Sequence, residues 1–428
     1  MNRLSLLLGI LMLAGVAQAQ FKNIKIDSAT AHFGLTNSSV AIVQKEGPAL
    51  AAAGLSSLYL SVDGGKTWEK SKAPALGSDR ILVSDGKGTL FAIQVVKAHE
   101  GSRSQISCMI SNDQGHTFDE GVMIADVQGK DQAVPSASMD TKGNLLVTWT
   151  QFDKMDDSDS TCKSLIFLAS SSNGKKWSKP VELSQTRGNC RTDRNMALGG
   201  TTAVGPDGKM FASWCNNSKI YLDRSFGSGI WLQNDIFVAN VGPGGDVAIP
   251  DQVQSATIPD LFIDQSKGAY KGCIYLSWAD QKNGKTDTDV WFMRSNNHGD
   301  NWSTPLRLGD IAAAKHQYAP KMAVDATTGF IYILFYDRGQ HNDGKTDVVL
   351  AYSTDSGGNF KNVTISETPF TAEEERMTGT HLTVTASHGA IIPVWSRMDN
   401  GKTSLWTATI RQEDIVKELS AGKGKKKK

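Results

Sequence analysis

The sequence predicts an all-β chain: one β-propeller of four-stranded antiparallel blades, seven by preference with six as the alternative, closed by its own N-terminal strand. Three observations predict it. An eight-residue pattern, Ser-x-Asp-x-Gly-x-x-Trp, fits five stretches, and a worn sixth ends at Trp231. The closing aromatics stand at 68, 118, 177, 231, 302 and 360, spaced by 50, 59, 54, 71 and 58 residues, and a period of that size marks a repeat architecture. Short alternating apolar runs flank every copy, and the two chain ends carry the strands that would complete one ring.

The copies are Ser61, Asp63, Gly65 and Trp68; Ser111, Asp113, Gly115 and Phe118; Ser170, Ser172, Gly174 and Trp177; Ser295, Asn297, Gly299 and Trp302; and Ser353, Asp355, Gly357 and Phe360. Each reads as a hairpin turn. The Asp or Asn side chain accepts backbone N–H bonds within the turn. The Gly supplies a positive φ that a Cβ resists, and the aromatic folds back between neighbouring sheets. The pattern is a structural device.

In chain order, residues 1–19 read as a secretory signal: Arg3, a thirteen-residue apolar run from Leu4 to Val16, then Ala17, Gln18 and Ala19 as a cleavage site. The run is short of the roughly 20 residues of a membrane span. Phe21–Ile26 is a strand with no neighbour of its own. Four-strand units follow at 39–73 (the shortest), 79–125, 133–184, 197–240, 255–308 and 318–367. The clearest has strands at Ala256–Ile263, Cys273–Trp278, Asp289–Arg294 and Pro305–Leu308, and the next repeats that order from Tyr318 to Ser366. After the last turn only three strands remain, Leu382–Ala386, Ala390–Trp395 and Ser404–Ile410, so Phe21–Ile26 supplies the fourth and leaves no free edge. The propeller therefore spans 20–412, and 413–428 is a basic, disordered tail ending in Lys425–Lys428.

The turns resemble Asp-boxes, the bacterial neuraminidase repeats, and nearly the whole mature chain resembles the secreted sialidase-like β-propellers. Sialidases themselves are six-bladed, so a seventh blade departs from the family. The resemblance implies a glycoside hydrolase that clamps a sugar carboxylate with arginines, protonates the leaving oxygen with a carboxylic acid, and attacks with a Tyr activated by a Glu. The family's Phe/Tyr-Arg-Ile-Pro segment is missing. The Ile-Pro pairs at 249–250, 258–259 and 392–393 follow Ala248, Thr257 and Ile391, so no catalytic residue carries over by motif.

Topology supplies candidates instead. In a meandering blade the turns between strands one and two and between three and four share one face. The two-to-three loops and the links between blades share the other, where function is expected. There the second strands end in Asp153, Asp280, Tyr336-Asp337-Arg338 and Arg397-Met398-Asp399, with Asp287, Asp289 and Asp347 returning beside them. The catalytic candidates are Tyr336 (or Tyr318), Asp337, Asp280 and Asp153, with Glu373 to Glu375 in reserve. The clamp candidates are Arg338, Arg397, Arg194 and Arg376. Several titratable groups converging on a ring axis make a default site.

Composition narrows the rest. Without Arg3 and the five tail lysines (Lys423 and Lys425–Lys428) the formal charge falls from +1 to −5, which argues against nucleic acid. Five cysteines, at 108, 162, 190, 215 and 273, leave at least one thiol unpaired, and Cys162 with Cys190 is the preferred bridge. No cofactor or zinc site is indicated; only Asp153, Asp156, Asp157 and Asp159 offer oxygens suited to Ca²⁺. The expected protein is a secreted or periplasmic monomer without a transmembrane segment. It acts on a glycan or glycoconjugate at the propeller's central pocket, either as a sialidase-like hydrolase or as a non-catalytic propeller binding carbohydrate or protein.

Overall fold

The computed structural model describes residues 21–28, 38–44, 49–54, 57–73, 76–97, 103–140, 142–155, 157–191, 195–226, 229–242, 246–247, 249, 255–309, 315–371, 382–399 and 402–416. They form seven antiparallel blades in a ring. Blade 1 comprises Ser39–Gln44, Ala49–Gly54, Ser57–Ser61 and Glu69–Lys70, and blade 2 Ser78–Ser84, Leu90–Lys97, Ser104–Ser111 and Val122–Ala125. Blade 3 comprises Asp131–Met139, Leu145–Phe152, Ser164–Ser171 and Val181–Glu182, and blade 4 Leu198–Val204, Met210–Asn216, Lys219–Arg224 and Ile236–Asn240. Blade 5 comprises Asp260–Ile263, Ile274–Asp280, Asp289–Ser295 and Leu306–Leu308, and blade 6 Gln317–Val324, Ile331–Asp337, Lys345–Ser353 and Lys361–Thr364. Blade 7 comprises Leu382–Ser387, Ala390–Asp399 and Lys402–Ala408, and Asn23–Ser28 is its outer strand. Pairing the chain ends removes the exposed sheet edges that would otherwise invite aggregation.

Successive blades bury their facing sides against each other. Leu276, Trp278 and Met293 of blade 5 pack with Ile220 and Leu222 of blade 4. Tyr275 and Phe292, on its other side, pack with Ile333 and Phe335 of blade 6. Strands buried on both faces explain the near-continuous apolar second strands. Trp149, Trp214, Trp278 and Trp395 are fully buried there, and burying each such ring stabilises by a few kcal/mol.

One predicted strand is corrected. Ala256–Ile263 is not continuous: Ser255–Ala256 pairs with Asp246–Val247, and the inner strand starts at Asp260. Pro259 has no N–H to give to a ladder, so the pairing breaks there.

The turns between third and fourth strands show what the repeated pattern does. Ser61 Oγ accepts the Gly65 N–H at 2.8 Å and donates to Asp63 at 2.8 Å, while Asp63 accepts the Thr67 N–H at 2.9 Å and its hydroxyl at 2.7 Å. The Trp68 Nε1–H returns to the Gly65 carbonyl at 3.0 Å. Asp113, Asn297 and Asp355 repeat the scheme. Blade 3 slips by one residue: Ser171 and Asn173, not Ser170 and Ser172, hold the turn, and Gly174 N–H bonds Ser171 Oγ at 2.9 Å. Trp177 still reaches the Gly174 carbonyl at 3.0 Å.

These turns carry an acid sensitivity. Burial pushes the Asp63 carboxyl up, but bonds from Thr67, Ser61 and the Lys66 amide together hold it at about 2. Asp113 is likewise raised by burial and brought to about 2 by Thr117, Ser111 and the nearby His116. Folded values below the unfolded 3.8 contribute stability above about pH 4, which is lost as pH falls toward 2. We expect the melting temperature to drop over that window. In the Asp63→Asn/Asp113→Asn double variant the drop should be smaller, because Asn297 shows that an amide serves the turn.

Cys162 and Cys190 form a disulfide, tying the two-to-three loop of blade 3 to the link leading into blade 4. Cys108, Cys215 and Cys273 are buried and take no part in a disulfide among the described residues. Closing a loop of 28 residues' separation is worth roughly 3 kcal/mol. Cys162→Ser should therefore lower stability by about 2–5 kcal/mol in denaturant titration, and a reductant should do the same to wild type.

Candidate functional site

The first strands are innermost, since residues from all seven blades line one axial cavity of about 460 Å³. Its walls are mostly Ala, Ser, Thr and Val. Asp260, almost fully buried, accepts the Met322 N–H at 2.7 Å, and burial raises its pKa against the pull of Lys321. Four first strands carry a β-bulge at the same level, with positive φ at Asp79 (43°), Val134 (51°), Gly199 (73°) and Ala319 (55°). For a β-branched Val this is a strained conformation. The bulges turn the upper ends of these strands away from regular pairing.

The second strands carry carboxylates at their upper ends, as the sequence suggests, but their partners differ from blade to blade. Asp153 lies 2.5 Å from Lys130 Nζ and accepts the Lys163 N–H at 3.1 Å. Burial raises its carboxyl slightly, and Lys130 with the Lys163 amide more than reverses this. Asp157 and Asp159 are engaged by Lys154 and Thr161. Among the described residues no group of three or more acids, histidines or cysteines could hold a metal ion.

Asp280 stands opposite Asp289 across the ladder of blade 5, and Asp337 opposite Asp347 in blade 6. Directly opposed like charges destabilise a sheet, so each pair needs compensation. In blade 5 it comes from burial and donors. Asp280 accepts Trp278 Nε1–H at 2.8 Å and Lys282 N–H at 3.0 Å; Asp289 holds Arg307, which also meets Asp287 at 3.0 Å. Burial pushes both Asp280 and Asp289 up, and both are 1% exposed or less.

The blade 6 pair borders a cavity. Asp337 and Asp347 line one cavity of about 350 Å³ with Gln340, Asn362 and Thr364. Asp337 Oδ1 accepts Gln317 Nε2–H at 2.9 Å and Gly339 N–H at 2.6 Å. Asp347 accepts the Ser366 hydroxyl at 2.9 Å, and its other oxygen lies 2.7 Å from His341 Nε2. Two carboxylates, two side-chain amides and a hydroxyl in one hollow, with an imidazole bonded to Asp347 beside it, can bind a polyol and move protons on it. The site lies at the flank between blades 5 and 6, off the axis.

The aromatic and arginine candidates meet, but as a packed stack. Tyr318 and Tyr336 lie 5.3 Å apart, and Phe370 meets Tyr336 edge-on at 5.9 Å. Arg338 sits 6.0 Å from the Tyr318 ring at one end; Arg397 sits 5.6 Å from the Phe370 and Trp406 rings at the other. The Tyr336 hydroxyl, fully buried, donates to the Ser396 carbonyl at 2.6 Å, and burial raises its pKa well above 10. This corrects its expected role, because a nucleophile must reach its substrate. Arg397 is held two-pronged by Asp399 at 2.5 and 2.9 Å and donates to Thr368. Arg338 donates to Thr346 at 3.2 Å and is 6% exposed. The expected open clamp is thus a closed inter-blade seam. Arg194, Arg376 and Glu373–Glu375 lie outside the described residues.

Sequence reading passed over His341 and His316. Their places come from the fold: His316 Nδ1 lies 2.8 Å from Thr288 Oγ1, and burial, then Arg338, lowers its pKa. Only the spacing of His341 from Asp347, six residues across one loop, could have marked that pair.

No protein-family model matches this chain, and no curated protein matches it. Solved structures do. An α-L-arabinofuranosidase of Fusarium graminearum in complex with arabinobiose superposes with a TM-score of 0.50 at 13% identity, covering 92% of this chain and 98% of that one. The NanB sialidase from Streptococcus pneumoniae gives a TM-score of 0.50 at 8% identity, covering 91% and 70%. The chain folds as a sialidase-like propeller. At these identities the likeness is one of fold. Among the described residues no helix is long and apolar enough to cross a membrane.

Proposed function

We propose that this chain is an exported, sialidase-like glycoside hydrolase that works through Asp337 and Asp347. The observation that carries this is the opposed carboxylate pair sharing a polar cavity at the flank of blade 6. Directly opposed residues on antiparallel strands have Cβ atoms about 4.5–5.5 Å apart, which suits the roughly 5–5.5 Å carboxyl spacing of a retaining pair. Asp337, its Oδ1 positioned by the Gln317 side chain and the Gly339 amide, serves as the nucleophile. Asp347 orients His341, and that dyad handles the proton at the leaving oxygen. Gln340, Asn362 and Thr364 bind sugar hydroxyls. A carboxylate thus replaces the tyrosine nucleophile of the family pattern. The propeller neighbours that cleave arabinose- and sialic-acid-containing glycans support the substrate class, and Arg3, the Leu4–Val16 run and Ala17–Ala19 support export.

A non-catalytic glycan-binding propeller is the second reading, favoured by the closure of Arg338 and Arg397 into the seam. Fluorophore release from aryl sialosides and aryl arabinofuranosides between pH 4 and 8 separates the two. Turnover of either substrate that Asp347→Asn removes supports the hydrolase. A folded protein that cleaves neither aryl glycoside nor a glycan polymer but retains glycan affinity supports the binding module.

A further inference from the structure

The opposite face, which carries the Ser-x-Asp-x-Gly turns, has a feature that this reading leaves unused. Blades 4 and 5 enclose a cavity of about 270 Å³ lined by Pro206, Asp207, Phe211, Ile263, Lys271 and His298. Phe211 and Ile263 give it a buried apolar floor. Asp207 pairs with Lys209 at 3.4 Å, and Lys271 is the lysine in the lining. Large apolar side chains stand exposed on the same two blades: Phe226 is 63% exposed, Ile230 66% and Tyr270 43%. Phe226 and Ile230 are joined by a Phe226 N–H to Ile230 carbonyl bond of 2.7 Å. Arg224 ties blade 4 to the cavity wall, donating to the His298 carbonyl at 2.6 Å and pairing with Asp300 at 2.7 Å. Tyr270 directly precedes Lys271.

This is the blade whose turn pattern is worn. Where the other turns carry Ser, Asp or Asn, and Gly, blade 4 presents the apolar side chains of Phe226 and Ile230 to solvent. Exposed apolar groups on the blades that enclose a concave site mark recognition rather than packing. The volume lies just below the roughly 300–1,000 Å³ of whole-ligand pockets, so it suits one ring of a longer chain. An apolar floor with one ammonium fits a sugar ring whose C–H face is buried and whose carboxylate meets Lys271.

We propose that this cavity is a second glycan-binding site that holds one carboxylated sugar ring of a polymer whose cleavage occurs at the flank of blade 6. The proposal rests on the glycan-acting reading, but its test does not depend on turnover. Affinity electrophoresis of the full mature protein is run through gels containing polygalacturonate or neutral arabinan, with wild type, Lys271→Glu and Tyr270→Ala side by side. Both substituted residues are solvent-facing, and melting curves check that the variants fold. We expect retardation by polygalacturonate to weaken at least tenfold in Lys271→Glu and several-fold in Tyr270→Ala. Aryl-glycoside turnover, where present, should be unchanged. Equal retardation of all three proteins, equal retardation by the neutral polymer, or no retardation of wild type by polygalacturonate overturns the site. Loss of aryl-glycoside turnover in Asp347→Asn with retardation intact would leave it standing, so the two readings can fail separately.

Discussion

Asp337→Asn and Asp347→Asn should each lower the turnover number on any glycoside the protein cleaves by about 10²–10⁴-fold, the usual worth of a positioned proton-transfer or nucleophilic group. KM should change little, since Gln340, Asn362 and Thr364 remain to bind hydroxyls. The two variants should differ in kind. Asn at 337 keeps an oxygen for the Gly339 N–H but cannot form a glycosyl intermediate. Asn at 347 leaves the nucleophile in place but releases His341, so protonation of the leaving oxygen should be lost while the attacking group remains. Steady-state kinetics from pH 4 to 8 tests this, with melting curves to show that both variants fold. Retention of anomeric configuration, followed by NMR, should accompany activity. Wild-type rates in both variants would move the chemistry away from blade 6.

Gly357→Ala should be the most damaging small substitution, costing about 2–5 kcal/mol. Its φ of 75° lies in the left-handed region, which costs an L-residue roughly 1–2 kcal/mol. A Cβ there would also fall 2.2 Å from Phe292 Cε1, in the neighbouring blade, and overpacking of a tight core costs another 1–3 kcal/mol. Phe292 has no slack, since Phe360 meets it edge-on at 4.9 Å and Tyr275 lies 5.9 Å away. Gly129→Ala is the control: the φ is similar, 77°, but a Cβ would find nothing within 4 Å. Urea titration should place Gly357→Ala well below wild type and Gly129→Ala within about 1–2 kcal/mol of it. Equal losses would mean that backbone conformation, not contact between blades, fixes the glycine.

That contact explains the repeat. Gly115 approaches Leu60, Gly174 approaches Phe91 and Gly299 approaches Leu222, each in the preceding blade. The pattern thus specifies a turn and the docking of that turn on its neighbour, and five recognisable turns with a worn sixth were enough to place most strands. The slip in blade 3 escaped detection because Ser170, Ser171 and Ser172 offer three equivalent hydroxyls. Only the hydrogen bonds choose between them.

The candidate site was legible only in part. Asp153, Asp280, Asp337 and Asp399 end their strands as the alternation predicts, yet they have four different partners: Lys130, a tryptophan indole, Gln317 and Arg397. Tyr336 and Arg397 sit at strand ends where exposure was expected. Instead a stack of rings from blades 6 and 7 buries the tyrosine and seals the arginine against Asp399.

By itself, then, the sequence determined the ring: the repeat, the alternation and the orphan N-terminal strand are local patterns, and each blade is a local hairpin series. Whether a polar strand end faces a cavity, a salt bridge or a neighbouring blade was decided only by tertiary structure. Side-chain exposure depends on the blade next door, whose facing residues lie about 60 positions away, and on cross-strand register, which sets Asp337 against Asp347.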